Sequence, residues 1–164
     1  MMGATGICRQ IEATGIVAII RASDSGELVD VVKALREGGI TCIEVTMTTP
    51  GALQVIAQAR QELGDTAAIG VGTGLDAETA PAAILAGAPF VVGPVFDPPT
   101  VELCRRYSTP VVPAGMTPTE IVRAWQAGAD FVKVFPTSSL GAKFIRDLKG
   151  PLPQIKLIPT GGGD

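Results

Sequence analysis

The sequence contains no histidine, which removes Ser-His-Asp and Cys-His triads, His-ligated zinc sites and the commonest general base. Any catalysis must draw on Glu, Asp, Lys, Tyr or Cys. Cysteine is scarce: Cys8, Cys42 and Cys104 are odd in number and lie 34 and 62 residues apart, so the chain has neither a disulfide framework nor a CxxC metal or redox motif. A reducing cytoplasm fits that usage. No run of one charge sign occurs either. The 13 Lys and Arg against 16 Asp and Glu leave a net charge of −3, without a basic stripe or an acidic tail, so nucleic acid is not expected as a partner. Met1 to Gly15 shows no basic segment followed by an apolar stretch, and no secretion signal is expected there. The longest uncharged span considered, 18 residues from Thr79 to Phe96, contains Pro81, Pro89, Pro94, Gly87 and Gly93. It reads as helix, turn and buried strand rather than as a membrane crossing.

What is present is the composition of one folded domain: 164 residues, 46% hydrophobic and 18% charged. Short β-branched runs recur at residues 16–20, 42–46, 68–72, 90–92, 110–113, 131–135 and 155–158. They are mostly apolar throughout, as expected where helices cover both faces of a parallel sheet. Helical patterns lie between them. Leu28, Val31, Val32 and Leu35 repeat at helical spacing behind an Asp24–Glu27 capping pair. Thr49-Pro50, Asp97-Pro98 and Thr117-Pro118 each read as a cap with proline at the first helical position, with Glu120 completing a capping box. Gly64, Gly87 and Gly128 read as helix stops. The segment from Ala86 to Val92 returns 41 residues later as Ala127 to Lys133, one helix-end, glycine-turn and strand unit used twice.

Strand ends near Arg21, Thr46, Thr73, Pro94, Ala114, Pro136 and Thr160 are spaced by 20 to 27 residues. Such regular units fit an open doubly wound sheet or a (β/α)8 barrel. The barrel is favoured because it needs no reversal of strand order, although spacing alone leaves the open sheet standing. Seven strands end at Thr160, while an eighth unit would run to about residue 183. The expectation is therefore a single barrel domain over residues 1–164, truncated after strand 7 and without the last helix and eighth strand, and with a seam between strands 1 and 7 that a partner or some unusual feature must cover.

Two charged residues interrupt these apolar strands. Phe131, Lys133 and Phe135 share one strand face, with Val132 and Val134 on the other. An amine between aromatic residues is one whose pKa falls, which yields a neutral nucleophile; a lysine that snorkels from a strand end is the alternative. Cys42, Glu44 and Thr46 share a face of their strand. Glu44 reads either as a structural acid paired with a cation, Lys133 being one choice, or as a proton shuttle beside an imine-forming Lys133. Gly161-Gly162-Gly163 after strand 7 reads as a phosphate-binding turn or simply a turn. Gly70-Val71-Gly72-Thr73-Gly74 does not match a dinucleotide fingerprint and reads as a strand exit with Thr73 facing the site.

Residues 39–46, Gly72-Thr73, residues 128–136 through Gly141, and Pro159-Thr160-Gly161-Gly162 together resemble the 2-keto-3-deoxy-6-phosphogluconate (KDPG) aldolases. That family includes the 4-hydroxy-2-oxoglutarate (KHG) and 2-keto-3-deoxy-6-phosphogalactonate aldolases. The resemblance implies that Lys133 is the Schiff-base lysine and Glu44 the acid/base. It places Thr73, Pro94 and Phe135 at the pyruvate end and Gly161 and Gly162 at the phosphate. It also implies a (β/α)8 barrel, usually a homotrimer, with a small keto-acid substrate and neither metal nor cofactor. Two features depart from the pattern. The phosphogluconate enzymes carry a carboxylate-gripping arginine four residues after the glutamate, where this chain has Thr48; Arg21 at the exit of strand 1 is either its substitute or a solvated strand-end charge. The second is the absent eighth strand, whose loop completes the family's phosphate site. The expected activity is class I cleavage of a 2-keto-3-deoxy sugar acid, phosphorylated at position 6 or not, or of 4-hydroxy-2-oxoglutarate, to pyruvate and an aldehyde. A non-catalytic anion-binding fragment and an imine-free phosphosugar isomerase remain the alternatives.

Overall fold

A computed structural model describes residues 2–74 and 76–161. Helices α1 (Ala4–Thr14), α2 (Leu28–Glu37), α3 (Ala52–Leu63), α4 (Thr79–Leu85), α5 (Pro98–Arg106), α6 (Pro118–Gln126) and α7 (Gly141–Lys149) surround a parallel sheet. Its strands are β1 (Ala18–Ile20), β2 (Cys42–Thr46), β3 (Ala68–Gly72), β4 (Val91–Val92), β5 (Val111–Val112), β6 (Ala114–Gly115), β7 (Val132–Val134) and β8 (Leu157–Pro159). Ladders run in the orders β1-β2-β3-β4-β5 and β6-β7-β8. The break falls at Pro113, which has no amide hydrogen to give. Val111 and Val112 pair with β4, Ala114 and Gly115 pair with β7, and the Pro113 carbonyl accepts the Lys133 amide at 2.9 Å. β5 and β6 are thus two halves of one strand, and the sheet holds the seven consecutive parallel strands expected from the sequence. Among the described residues no ladder joins β1 to β8, so the barrel is not closed.

Alternation along each strand sorts side chains to two sides of this wall. Ile43, Val45, Ile69, Val71, Val91 and Val111 pack outward against α2 to α5, and Val132 and Val134 pack against α6 and α7. Cys42, Ala68, Val92, Val112 and Phe131 gather with Phe90 in a separate cluster on the inner side. That one cluster draws on β2 through β5 and the start of β7 shows the sheet wrapping around an interior. Gly70 makes room for the filling: a Cβ there would lie 2.5 Å from Phe90 Cζ. Burying the Phe90 side chain completely stabilises the fold by about 2 kcal/mol. The sequence pattern did not reveal α1. Ile7 and Ile11, one turn apart, plug the N-terminal end of the barrel, and Gln10 and Thr14 tie that helix to Thr41 at 3.2 and 3.0 Å.

Several local readings hold. Asp97 accepts the Thr100 amide at 2.9 Å, and Thr117 and Glu120 form the full capping box of α6. Gly87 and Gly128 take φ of 102° and 97° after α4 and α6, which only glycine adopts freely, and each is followed by the same amide bond back into its helix. Two expected caps are not formed. α2 starts at Leu28 without a side-chain cap, because Asp24 accepts the nearer Gly26 amide at 2.9 Å. α3 starts at Ala52 behind Gly51 with φ 71°; the Thr49 hydroxyl instead accepts the amide of Ala22, just past the neighbouring β1, at 3.2 Å.

Candidate active site

β7 presents Lys133 to the interior because Val132 and Val134 are committed to the helix layer. Glu44 is presented by β2 for the same reason, between the outward Ile43 and Val45. The two meet inside: Lys133 Nζ lies 4.0 Å from Glu44 Oε1, with the lysine 7% and the glutamate 3% exposed. This is an ion-pair distance too long for a direct hydrogen bond. Burial raises the Glu44 pKa, a shift opposed by the charges of Lys133 and Arg21. Burial likewise lowers that of Lys133; Glu44 opposes the shift and Arg21 adds to it. Desolvation therefore outweighs attraction at both groups, and each is moved toward its neutral form. A neutral amine is a nucleophile, and a carboxyl that keeps its proton longer is a proton donor.

Gly72, opposite Thr46 on β3, gives the carboxylate its place, since a Cβ there would collide with Glu44 Oε1. The Phe135 ring lies 5.2 Å from Lys133 Nζ, measured to its centroid, and is 40% exposed at the β7 exit. Thr73 leaves β3 at φ 60°. A β-branched residue held there stores about 1–3 kcal/mol of strain, fixed on its far side by the Gly74 amide donating to Val92 at 3.2 Å. Pro94 is half-buried at the exit of β4. A cavity of about 750 Å³ is lined by Glu44, Lys133, Thr160 and Gly161 at one end and by Ile11, Phe131 and Lys156 toward the other, with Ile19 of β1 and Leu157 of β8 on the two unpaired strand edges between them. Thr73, Pro94 and Phe135 stand at strand exits outside that lining.

The structure thus brings Lys133 and Glu44 together and sets Arg21, Thr73, Pro94, Phe135 and Gly161 at the C-terminal ends of their strands. Arg21 is exposed and makes no hydrogen bond or ion pair among the described residues, while its charge acts on both members of the pair. Gly161 has φ 99°, and its carbonyl accepts the Thr137 hydroxyl at 3.0 Å. Gly162 lies outside the described residues. Sequence reasoning missed two participants. A glycine inside a strand signals close approach, and at Gly72 the group that approaches is Glu44. Lys156, on the cavity wall with Nζ 5.4 Å from the Phe131 centroid and 2.6 Å from Glu12 Oε1, had no such mark. Among the described residues no group of three or more Cys, Asp or Glu is placed to hold a metal, and no helix is long and apolar enough to cross a membrane.

Comparison with known proteins agrees with this arrangement. Residues 7–164 match the family model for KDPG and KHG aldolase. A 2-dehydro-3-deoxy-phosphogluconate aldolase of Treponema pallidum (strain Nichols) is 37% identical over 157 residues, covering 95% of this chain and 74% of that protein. Among solved structures, a native KDPGal structure superposes with a TM-score of 0.85 at 31% identity, over 89% of this chain and 71% of the other. A Legionella pneumophila KDPG aldolase, solved with pyruvate captured at low pH as a covalent carbinolamine intermediate, gives a TM-score of 0.85 at 25% identity, over 94% of this chain and 75% of that one. A buried lysine–glutamate pair in an α/β barrel and a family match over nearly all its length lead to one statement: this chain belongs to the KDPG and KHG aldolase family.

Proposed function

We propose that the protein is a class I aldolase that forms an imine between Lys133 and the keto group of a 2-keto-3-deoxy-6-phospho sugar acid or of 4-hydroxy-2-oxoglutarate. The observation that carries this reading is the buried Lys133–Glu44 pair at 4.0 Å. The neutral amine attacks the C2 carbonyl carbon, and the oxygen takes up a proton to give a carbinolamine. Loss of water leaves an iminium. Glu44, directly or through one water, removes the C4 hydroxyl proton while the C3–C4 bonding electrons move into the iminium, releasing an aldehyde and an enamine. The same carboxyl returns its proton to C3, and water hydrolyses the iminium to free pyruvate and the amine. The carbinolamine seen in the Legionella enzyme supports this sequence of steps.

In this reading Arg21 faces the substrate carboxylate, Thr73, Pro94 and Phe135 line the pyruvate end, and Gly161 with Gly162 receives the phosphate. Residues 1–164 act as one barrel domain within a cytoplasmic homotrimer. The test is incubation with pyruvate and borohydride, which reduces an imine to a stable amine, followed by intact mass and peptide mapping. A single adduct at Lys133 that is lost in Lys133→Ala is the expected result. A folded protein that gains no adduct, or gains one elsewhere, overturns the mechanism.

A further inference from the structure

The threonine expected to cap α3 does something else. Thr49 is 2% exposed, and its hydroxyl accepts the amide of Ala22 at 3.2 Å. The β1–β2 ladder registers Ile20 with Val45, so Ala22 lies just beyond the ladder, where regular strand pairing no longer supplies an acceptor. Arg21 is therefore held between the last ladder residue and this side-chain bond. Its guanidinium has no hydrogen-bond or ion-pair partner among the described residues, and its charge acts on both Glu44 and Lys133.

Hydrogen-bond accounting fixes the direction in which this anchor is built. A buried hydroxyl proton needs an acceptor. With Ala22 N–H already directed at it, the Thr49 oxygen has one side-chain neighbour among the described residues, Thr46 Oγ1 at 3.3 Å. Thr49 therefore donates to Thr46. Thr46, fully buried, donates onward to Thr48 Oγ1 at 3.0 Å. The chain runs from the Ala22 amide through Thr49 and Thr46 to Thr48, and each buried donor in it is satisfied. Thr46 shares the inner strand face with Glu44, two residues away, so the chain joins the Arg21 backbone to the strand that carries the carboxylate.

We propose that Thr49 is a positioning residue for the aldolase reaction: it holds the Arg21 backbone beside β2, the strand that carries Glu44, and so sets where the arginine leaves β1. This rests on the imine mechanism proposed above, and the test separates the two. The charged groups acting on Lys133 are Glu44 from β2 and Arg21 from β1. Releasing Arg21 removes a charge that disfavours the ammonium, so the pH at which Lys133 becomes neutral rises.

The experiment compares wild type, Thr49→Val, Thr49→Ser, Arg21→Ala and the double variant Arg21→Ala/Thr49→Val. The first readout, independent of imine formation, is the rate of Lys133 acetylation by acetic anhydride against pH, followed by peptide mass. The second is half-saturation for pyruvate in borohydride trapping. Thr49→Val should move the acetylation profile to higher pH and raise half-saturation by about tenfold, the usual worth of losing a well-placed charged contact, with little change in the maximal extent of trapping. Thr49→Ser, which keeps the oxygen, should restore both. Adding Thr49→Val to Arg21→Ala should change neither further, because the residue it positions is gone. Thr49→Val with the wild-type pH profile, or an effect that adds in full to that of Arg21→Ala, overturns the positioning role. Should Thr49→Val fail to fold, a Thr49→Ser profile shifted like that of Arg21→Ala overturns it as well. Wild type that acetylates with the expected pH dependence at Lys133 yet traps no pyruvate refutes the imine mechanism, and the acetylation profiles of the variants then decide the positioning role alone.

Discussion

Adding one methyl group at Gly72 should disable proton transfer while leaving the amine in place. The alanine Cβ would lie 2.8 Å from Glu44 Cδ and closer still to Oε1, where ordinary contact begins at 3.4 Å. The strands cannot yield, because Val71 and Val45, on the outer face of that wall, are fully buried against the helices. The carboxyl must therefore retreat by roughly half an ångström or more, and a displacement approaching 1 Å at a catalytic group costs on the order of 10² in rate. Turnover of a 2-keto-3-deoxy-6-phospho sugar acid, followed as pyruvate release with lactate dehydrogenase, should fall about ten- to a hundred-fold. Pyruvate trapping at Lys133 should persist, since the amine is untouched. Overpacking also lowers stability by about 1–3 kcal/mol, visible as a lower denaturation midpoint. Gly74→Ala is the control: its nearest neighbour would be 3.5 Å away, and it should leave turnover within about twofold. A folded Gly72→Ala protein with wild-type turnover, or an equal loss in Gly74→Ala, would refute the steric argument.

Glu44→Gln should separate the two pH-dependent roles. Glu44 raises the pKa of Lys133, so removing its charge lets the amine become neutral at lower pH, and the rising limb of pyruvate trapping should move toward acid. Aldol turnover should nevertheless fall by about 10² to 10⁴, and a trapping profile displaced toward alkali would contradict the assigned interaction. Burial, reinforced by Asp130, pushes the Cys8 and Cys104 thiols up to about 11. At pH 8 both should react slowly with a chromogenic disulfide reagent and rapidly once denaturant is added; prompt reaction of the native protein would show that these thiols are not held as described.

Much of this architecture was legible because helices and strands were marked by patterns that local physics enforces. The spacing of strand ends foreshadowed seven βα units, and the Thr117–Glu120 box and the paired turns at Gly87 and Gly128 formed as read, since each depends on atoms within a few residues. The same alternation placed Lys133 and Glu44 on inner faces, although only the curved sheet brings them to 4.0 Å. Readings failed where a distant partner competed. Thr49 had the local credentials of a helix cap, but Ala22, 27 residues away, takes its oxygen. α1 escaped notice because only two of its residues, Ile7 and Ile11, are buried, and its meaning depends on an open barrel end that the sequence does not display. Gly72 was readable as a close approach, yet its neighbour was not, since Glu44 belongs to another strand.

The unpaired edges of β1 and β8 also decide how water reaches the lysine. Ile11, Ile19, Leu157 and Lys133 line one cavity, Ile19 is 44% exposed, and among the described residues no ladder joins β1 to β8, so the path from solvent to the amine runs along that seam as well as past α1. The lowered pKa of Lys133 comes first from burial, and anything that covers the seam deepens that burial and moves the amine further toward its neutral form while every residue around the substrate stays in place. Nucleophilicity at Lys133 is thus tied to the hydration of a strand gap, and substitutions along the β1 and β8 edges act on the chemistry without touching the substrate.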